Sequence, residues 1–144
     1  MIYPKPMYRW SIYPQQGKPY RFEICLFSSL PRMYDYAAHV WKIPEKTFAA
    51  LCVSYGALEQ SKHGRKMGEI LFTRKGVSME TLCHEACHAA HHWYSHFFGQ
   101  HVIVIAQSGK GHPSEETVAE AQGALVKQLV EGLAARGISV ESHS

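Results

Sequence analysis

"LCHEACHAAHHW", residues 82–93, sets four histidines, two cysteines and one glutamate on what otherwise reads as an apolar helix. Ser78 is a fitting N-cap for that helix and Gly99 a fitting stop, so a helix of roughly twenty residues is expected here. Within it, His84, Glu85 and His88 spell H-E-x-x-H. Residues four apart on an α-helix sit one turn up on nearly the same face, so both imidazoles can reach one metal ion while the intervening glutamate projects beside them. Zn2+ accepts nitrogen ligands, and three protein donors with one open position leave room for chemistry. In that arrangement Glu85 is the general base.

The same straight helix cannot supply the third donor. His92 lies four residues beyond His88, so three imidazoles would spread over about 12 Å of helix axis, too far to share one ion. Another segment must provide it, and His91, His92 and His96 read as surface or accessory groups. The clearest helix in the chain follows as "SEETVAEAQGALVKQLVEGLAARG", residues 114–137. Ser114 is its expected cap, Glu115 and Glu116 oppose the positive end of its dipole, and Val118, Leu125, Leu129 and Leu133 form an apolar stripe. Glu116 is the first candidate for the third ligand. Glu120, one turn later on the same face, is placed to accept a hydrogen bond from a ligating imidazole. His101 is the rival donor, and Glu115, about 100° around the helix from Glu116, is a weaker one.

The rest of the chain is mixed. Residues 1–22 carry four prolines and four tyrosines and read as an extended arm with turns. "YRFEICLF", 20–27, alternates as a strand, and "LPRMYDYAAHVWKI", 30–43, suits a helix that Pro44 ends. "KTFAALCVSYG" leans to strand through Thr47, Phe48, Val53 and Tyr55. A polar loop, "EQSKHGRKMG", leads to a short strand at "GEILFT", 68–73, and "HVIVIA", 101–106, reads as a further extended segment. The expectation is a single α+β domain over residues 1–144, with a small twisted sheet behind the H-E-x-x-H helix and the C-terminal helix closing the site.

With 144 residues, 46% of them hydrophobic, the composition fits a soluble globular class. The apolar runs are too short to cross a bilayer, and "MIYPKPMYRW" lacks the apolar stretch of a secretory signal, so a cytoplasmic protein without a membrane role is expected. The four cysteines, at 25, 52, 83 and 87, form no disulfide framework and read as reduced thiols packed as small hydrophobes. A formal charge of +3 permits a nucleic-acid partner without demanding one; "SKHGRK", 61–66, with Arg74 and Lys75, would be its contact, although solvated loop charge explains these residues as well.

A strand, an H-E-x-x-H helix and a later helix carrying E-x-x-A, here "ETVA" at 116–119, together resemble the zincin metallopeptidases of the glutamate-ligand type. The likeness is to the small ImmA/IrrE-like and phage-encoded metallopeptidase-like domains, over about residues 68–130. It implies a zincin-like fold, Zn2+ held by His84, His88 and Glu116, Glu85 as the base, and hydrolysis of a peptide bond in a protein or peptide substrate. "HEACHAA" also resembles the SprT-like proteases, which would make His101 the third ligand, but "HVIVIA" lacks the H-G-x-x-aromatic pattern of that family. Tyr94, His101 and His112 are candidates by residue type for steadying an oxyanion. The alternative from another class is a metal-stabilised module that binds protein or DNA without hydrolysis.

Overall fold

The computed structural model describes residues 4–75, 77–98 and 113–141. Four strands form one mixed sheet: β1 (Tyr8–Ile12), β2 (Arg21–Phe27), β3 (Leu51–Ser54) and β4 (Lys66–Thr73), in the order β1-β2-β4-β3. The central pair, β2 and β4, is parallel, and β1 and β3 flank it antiparallel. Helix α1 (Leu30–Val40) lies on one face, and α3 (Met79–Phe98) and α4 (Pro113–Ala135) cover the other; α2 (Ala57–Gln60) is a single turn before β4. This is an α+β arrangement. Among the described residues no helix is long and apolar enough to cross a membrane.

Alternation along β2 explains the layering. Phe22, Ile24 and Leu26 point to the α3/α4 side, and Cys25 and Phe27 to the α1 side, so the strand is buried on both faces. In β4 the pairing register skips Met67, since Arg21 faces Lys66 and Phe22 faces Gly68. That bulge lets Met67 join the same core as Ile70, which straight alternation would forbid. All four cysteines are free thiols.

The N-terminal arm differs from the sequence expectation. Tyr8–Ile12 is a strand, paired antiparallel with β2 from Tyr8–Leu26 to Ile12–Phe22. The prolines at 4, 6, 14 and 19 bracket this proline-free stretch, which sits at the edge of the sheet where flanking prolines cost no ladder bonds. Gln128 on α4 clips the arm: its Oε1 accepts from Tyr13 N at 2.9 Å and its Nε2 donates to Tyr13 O at 2.8 Å. "HVIVIA" lies outside the described residues.

The edge strand β3 is held close by a glycine. Gly68 pairs with Ser54, and a Cβ on it would collide with the Val53 carbonyl oxygen and come within 2.9 Å of Ser54 Cα. Both are backbone, so neither can rotate away. Gly68→Ala is therefore expected to push β3 off β4 and to cost about 1–3 kcal/mol, the range for overpacking. A shift of the urea midpoint, with hydrogen exchange quickened first at Leu51–Ser54, would check this.

Helix α3 starts as expected. Ser78 Oγ accepts from Thr81 N at 3.1 Å, an N-cap bond. The chain end returns to the same corner, where Glu141 pairs in parallel with Ser78 and its carbonyl accepts from Met79 N at 2.8 Å. Val118, Leu125, Leu129 and Leu133 are all buried, as the stripe on α4 requires, and Gly137 adopts φ 73° beyond its end. Pro113 already lies within α4, so Ser114 is inside the first turn and not the cap.

Candidate metal centre

Three alanines decide how α3 sits. Ala86, Ala89 and Ala90 are fully buried with Leu82 and Trp93, and their small side chains let the helix lie close against the sheet. That registers His84 and His88 on the exposed side, one turn apart, with the Glu85 side chain turned inward at 5% exposure.

The two imidazoles converge. Their Nε2 atoms are 3.2 Å apart and the rings meet edge to face at 84°. Two nitrogens bound at 2.0–2.1 Å to one tetrahedral zinc would be separated by about 3.3–3.4 Å, so the pair already has nearly the spacing of shared ligands. A donor atom of Glu85 lies within 4.8 Å of both, and among the described residues these three form the group of side chains able to hold a metal ion. Glu85 Oε2 is buried without a hydrogen-bond partner. An orphaned carboxylate oxygen in that position is costly unless something else satisfies it, which fits a cation or a water beside it. Burial pushes the Glu85 carboxyl above its ordinary pKa, against a smaller opposing pull from His84.

A cleft between α3 and the edge strand opens onto this group. One part, about 430 Å³, is lined by Ala50, Leu51, Cys52 and Ser54 together with His84, Glu85 and His88. A second part, about 310 Å³, continues past Phe48 and Ala49 to Glu80 and Thr81. Among the described residues β3 bonds only to β4, and its other edge faces the cleft with no described strand paired to it. "KTFAALCVSYG" leans to strand by its residues, and the strand it forms is Leu51–Ser54. Nothing local in the sequence says that this strand ends up beside α3.

Helix α4 runs back along α3. Val130 and Ala134 near its end line one hollow with Met79 of α3, and Gln122 Nε2 donates to Cys83 O at 3.1 Å. Glu116, six residues and about 9 Å earlier along the axis, lies beyond Cys83 in the direction of His88. Glu115 is on nearly the same stripe as Gln122, seven residues away, and Glu116 is turned about 100° from it. Glu116 and Glu120 are exposed and Glu115 is half-buried; none of the three belongs to the His84–Glu85–His88 group, and no hydrogen bond among the described residues joins Glu120 to either imidazole. His101 and His112 lie outside the described residues.

The other candidates have plainer surroundings. Tyr94 is buried in the core, stacked on Phe98 at 4.5 Å, and does not line the cleft. His91 is exposed and its Nδ1 lies 2.8 Å from Cys87 O. His92 is not a surface group: it is half-buried edge-on to Phe22, with Nε2 enclosed and unpartnered, and burial, then His96, lowers its pKa. Of the basic residues in 61–66, Lys62 pairs with Glu59 and Lys66 with Glu69 and Glu23. Burial, then the charge of Glu85, pushes the Cys52 thiol up to about 12.

Compared with known proteins, the chain matches no family model, no curated protein and no solved structure.

Proposed function

We propose that the chain is a zinc-dependent metallopeptidase of zincin-like architecture, hydrolysing a peptide bond in a protein or peptide substrate. The observation that carries this reading is the 3.2 Å approach of the His84 and His88 Nε2 atoms beside the buried, unpartnered oxygen of Glu85. The residues fit an ion by spacing and by donor type, and a carboxylate sits where a base is needed.

A bound Zn2+ would supply Lewis acidity, acidifying water and polarising the scissile carbonyl. The chain's own part is arrangement. His84 and His88 are fixed by one rigid helix whose other face is locked into the core. Glu85 takes a proton from the attacking water and returns it to the leaving amine nitrogen, and burial holds its carboxyl above the ordinary carboxylate pKa. An extended peptide can lie along the edge of β3 that no described strand occupies, where backbone groups offer hydrogen bonds next to the cluster. Glu116 is the third donor that the sequence nominates from α4. A cytoplasmic setting goes with this reading, because there the four free thiols stay reduced.

Metal analysis of the purified protein tests it. About one zinc per chain is expected, lost in His88→Ala with the circular dichroism unchanged. Chelation should stop cleavage of an unfolded protein substrate, and zinc should restore it. A protein that holds zinc yet cleaves nothing in either state would instead be a metal-stabilised binding module.

A further inference from the structure

The candidate centre has two imidazoles from α3 and a base, and the cleft beside them contains Cys52 and, in its second part, Glu80, which lies on α3 itself. Cys52 lines the same part of the cleft as His84, Glu85 and His88. Its direction follows from the register. Cys52 faces Ile70 across the β3–β4 pair, and Leu51 faces Leu71. Directly opposed residues share a face. Ile70 belongs to the core under α3 and Leu71 to the core under α1, and Cys52 and Leu51 pack accordingly. The thiol is thus on the α3 side, near enough to Glu85 to feel its charge. Glu85 is itself 5% exposed and lines the same cleft, and its Oε2 has no hydrogen-bond partner among the described residues.

The alternatives on the page are weaker. Glu116 is exposed and lines neither part of the cleft; like Cys52, it stands outside the group whose donor atoms lie within 4.8 Å of one another. Cys83, Cys87 and His91 lie on α3 itself, Cys83 about 100° round from His84 and Cys87 about 100° round from His88, while the His91 Nδ1 is turned to the Cys87 carbonyl. Cys25 is fully buried on the opposite face of the sheet.

Resting on the metal-centre reading above, we propose that Cys52 Sγ is the third protein donor, so that β3 and α3 clasp the ion between them in a His2Cys set with one position left open. Binding replaces the Cys52 S–H bond by a sulfur–metal bond and releases one proton to solvent. A mixed nitrogen and sulfur set selects borderline ions such as Zn2+, Co2+ or Fe2+ over Mg2+ or Ca2+. Covalent closure of the cleft by a metal also gives the edge strand a role in holding the site together that its four residues of pairing alone do not give.

Cobalt substitution tests this without reference to activity. The Co2+ protein should show a thiolate-to-cobalt charge-transfer band in the near ultraviolet, and Cys52→Ser should lose it. Should Cys52→Ser not fold, the Cys83→Ser/Cys87→Ser double variant answers the same question, since it retains thiols only at Cys25 and Cys52. Its zinc-edge X-ray absorption should still show one sulfur at about 2.3 Å. Cobalt bound without the band, a band that survives Cys52→Ser, or a double variant whose zinc has no sulfur neighbour overturns the assignment of Cys52 and leaves the metal centre standing. Failure of the folded protein to bind cobalt or zinc overturns both.

Discussion

Under the proposed function, Glu85→Gln is expected to keep zinc and to lose peptide hydrolysis by about 10²–10⁴-fold, the contribution of a positioned general base. The substitution is nearly isosteric, and Glu85 is not asked to hold the ion, so occupancy should stay near the wild-type value. What is lost is proton acceptance. An amide cannot take the proton of the attacking water, and it cannot hand one on to the leaving nitrogen. Stability is expected to hold or rise slightly, because the carboxylate is buried with one oxygen unpartnered and the amide carries no charge to desolvate. Metal analysis, thermal melting and hydrolysis of a quenched peptide, measured on one preparation, separate these effects. A variant that cleaves at the wild-type rate removes Glu85 from the chemistry.

The second large effect lies on the other face of the sheet. Glu69 on β4 has a side chain only 2% exposed and accepts from four groups. Its Oε1 takes Tyr36 OH at 2.7 Å and Trp41 Nε1 at 2.8 Å, and its Oε2 takes Lys66 Nζ at 2.7 Å and Arg9 Nη1 at 3.0 Å. These donors come from β1, α1, the segment after it, and β4, so one carboxylate joins parts of the chain far apart in sequence. Glu69→Ala is expected to cost about 3 kcal/mol. That is the lower end for breaking a buried ion pair, because Arg9 and Lys66 both keep access to water. Burial alone would raise the Glu69 pKa, but the hydrogen bonds from Lys66, Trp41 and Tyr36 and the Lys66 charge outweigh it, and the net shift is downward. A folded-state pKa below the unfolded one gives stability that is complete above the ordinary carboxylate range near pH 4.3. It is lost as pH falls through the folded value. Acid unfolding of the wild type should show this loss, and Glu69→Ala should flatten it. Equal acid dependence in the two proteins would place the linkage elsewhere.

How much of this was legible in the sequence depends on how local each signal is. The α4 stripe, the Ser78 cap and the H-E-x-x-H spacing are set by residues within a few turns, and each is realised. β1 was not legible because the prolines around "YRWSI" dominate its window, and an edge strand tolerates such neighbours. Glu69 reads as an ordinary polar residue in "GEILFT". Only the packing of β1 and α1 on the sheet gives it partners. The same holds for the candidate centre: the spacing brings His84, Glu85 and His88 together, whereas the proposed third donor comes from elsewhere in the fold. Spacing nominates Glu116, whereas the cleft presents Cys52.

The central claim is that two imidazoles of α3 share one divalent ion. Crystals grown with zinc and measured across the zinc absorption edge test it most directly. A single anomalous peak is expected between the His84 and His88 Nε2 atoms, about 2.0–2.1 Å from each. Imidazoles turned apart, with no peak between them at saturating zinc, would contradict it.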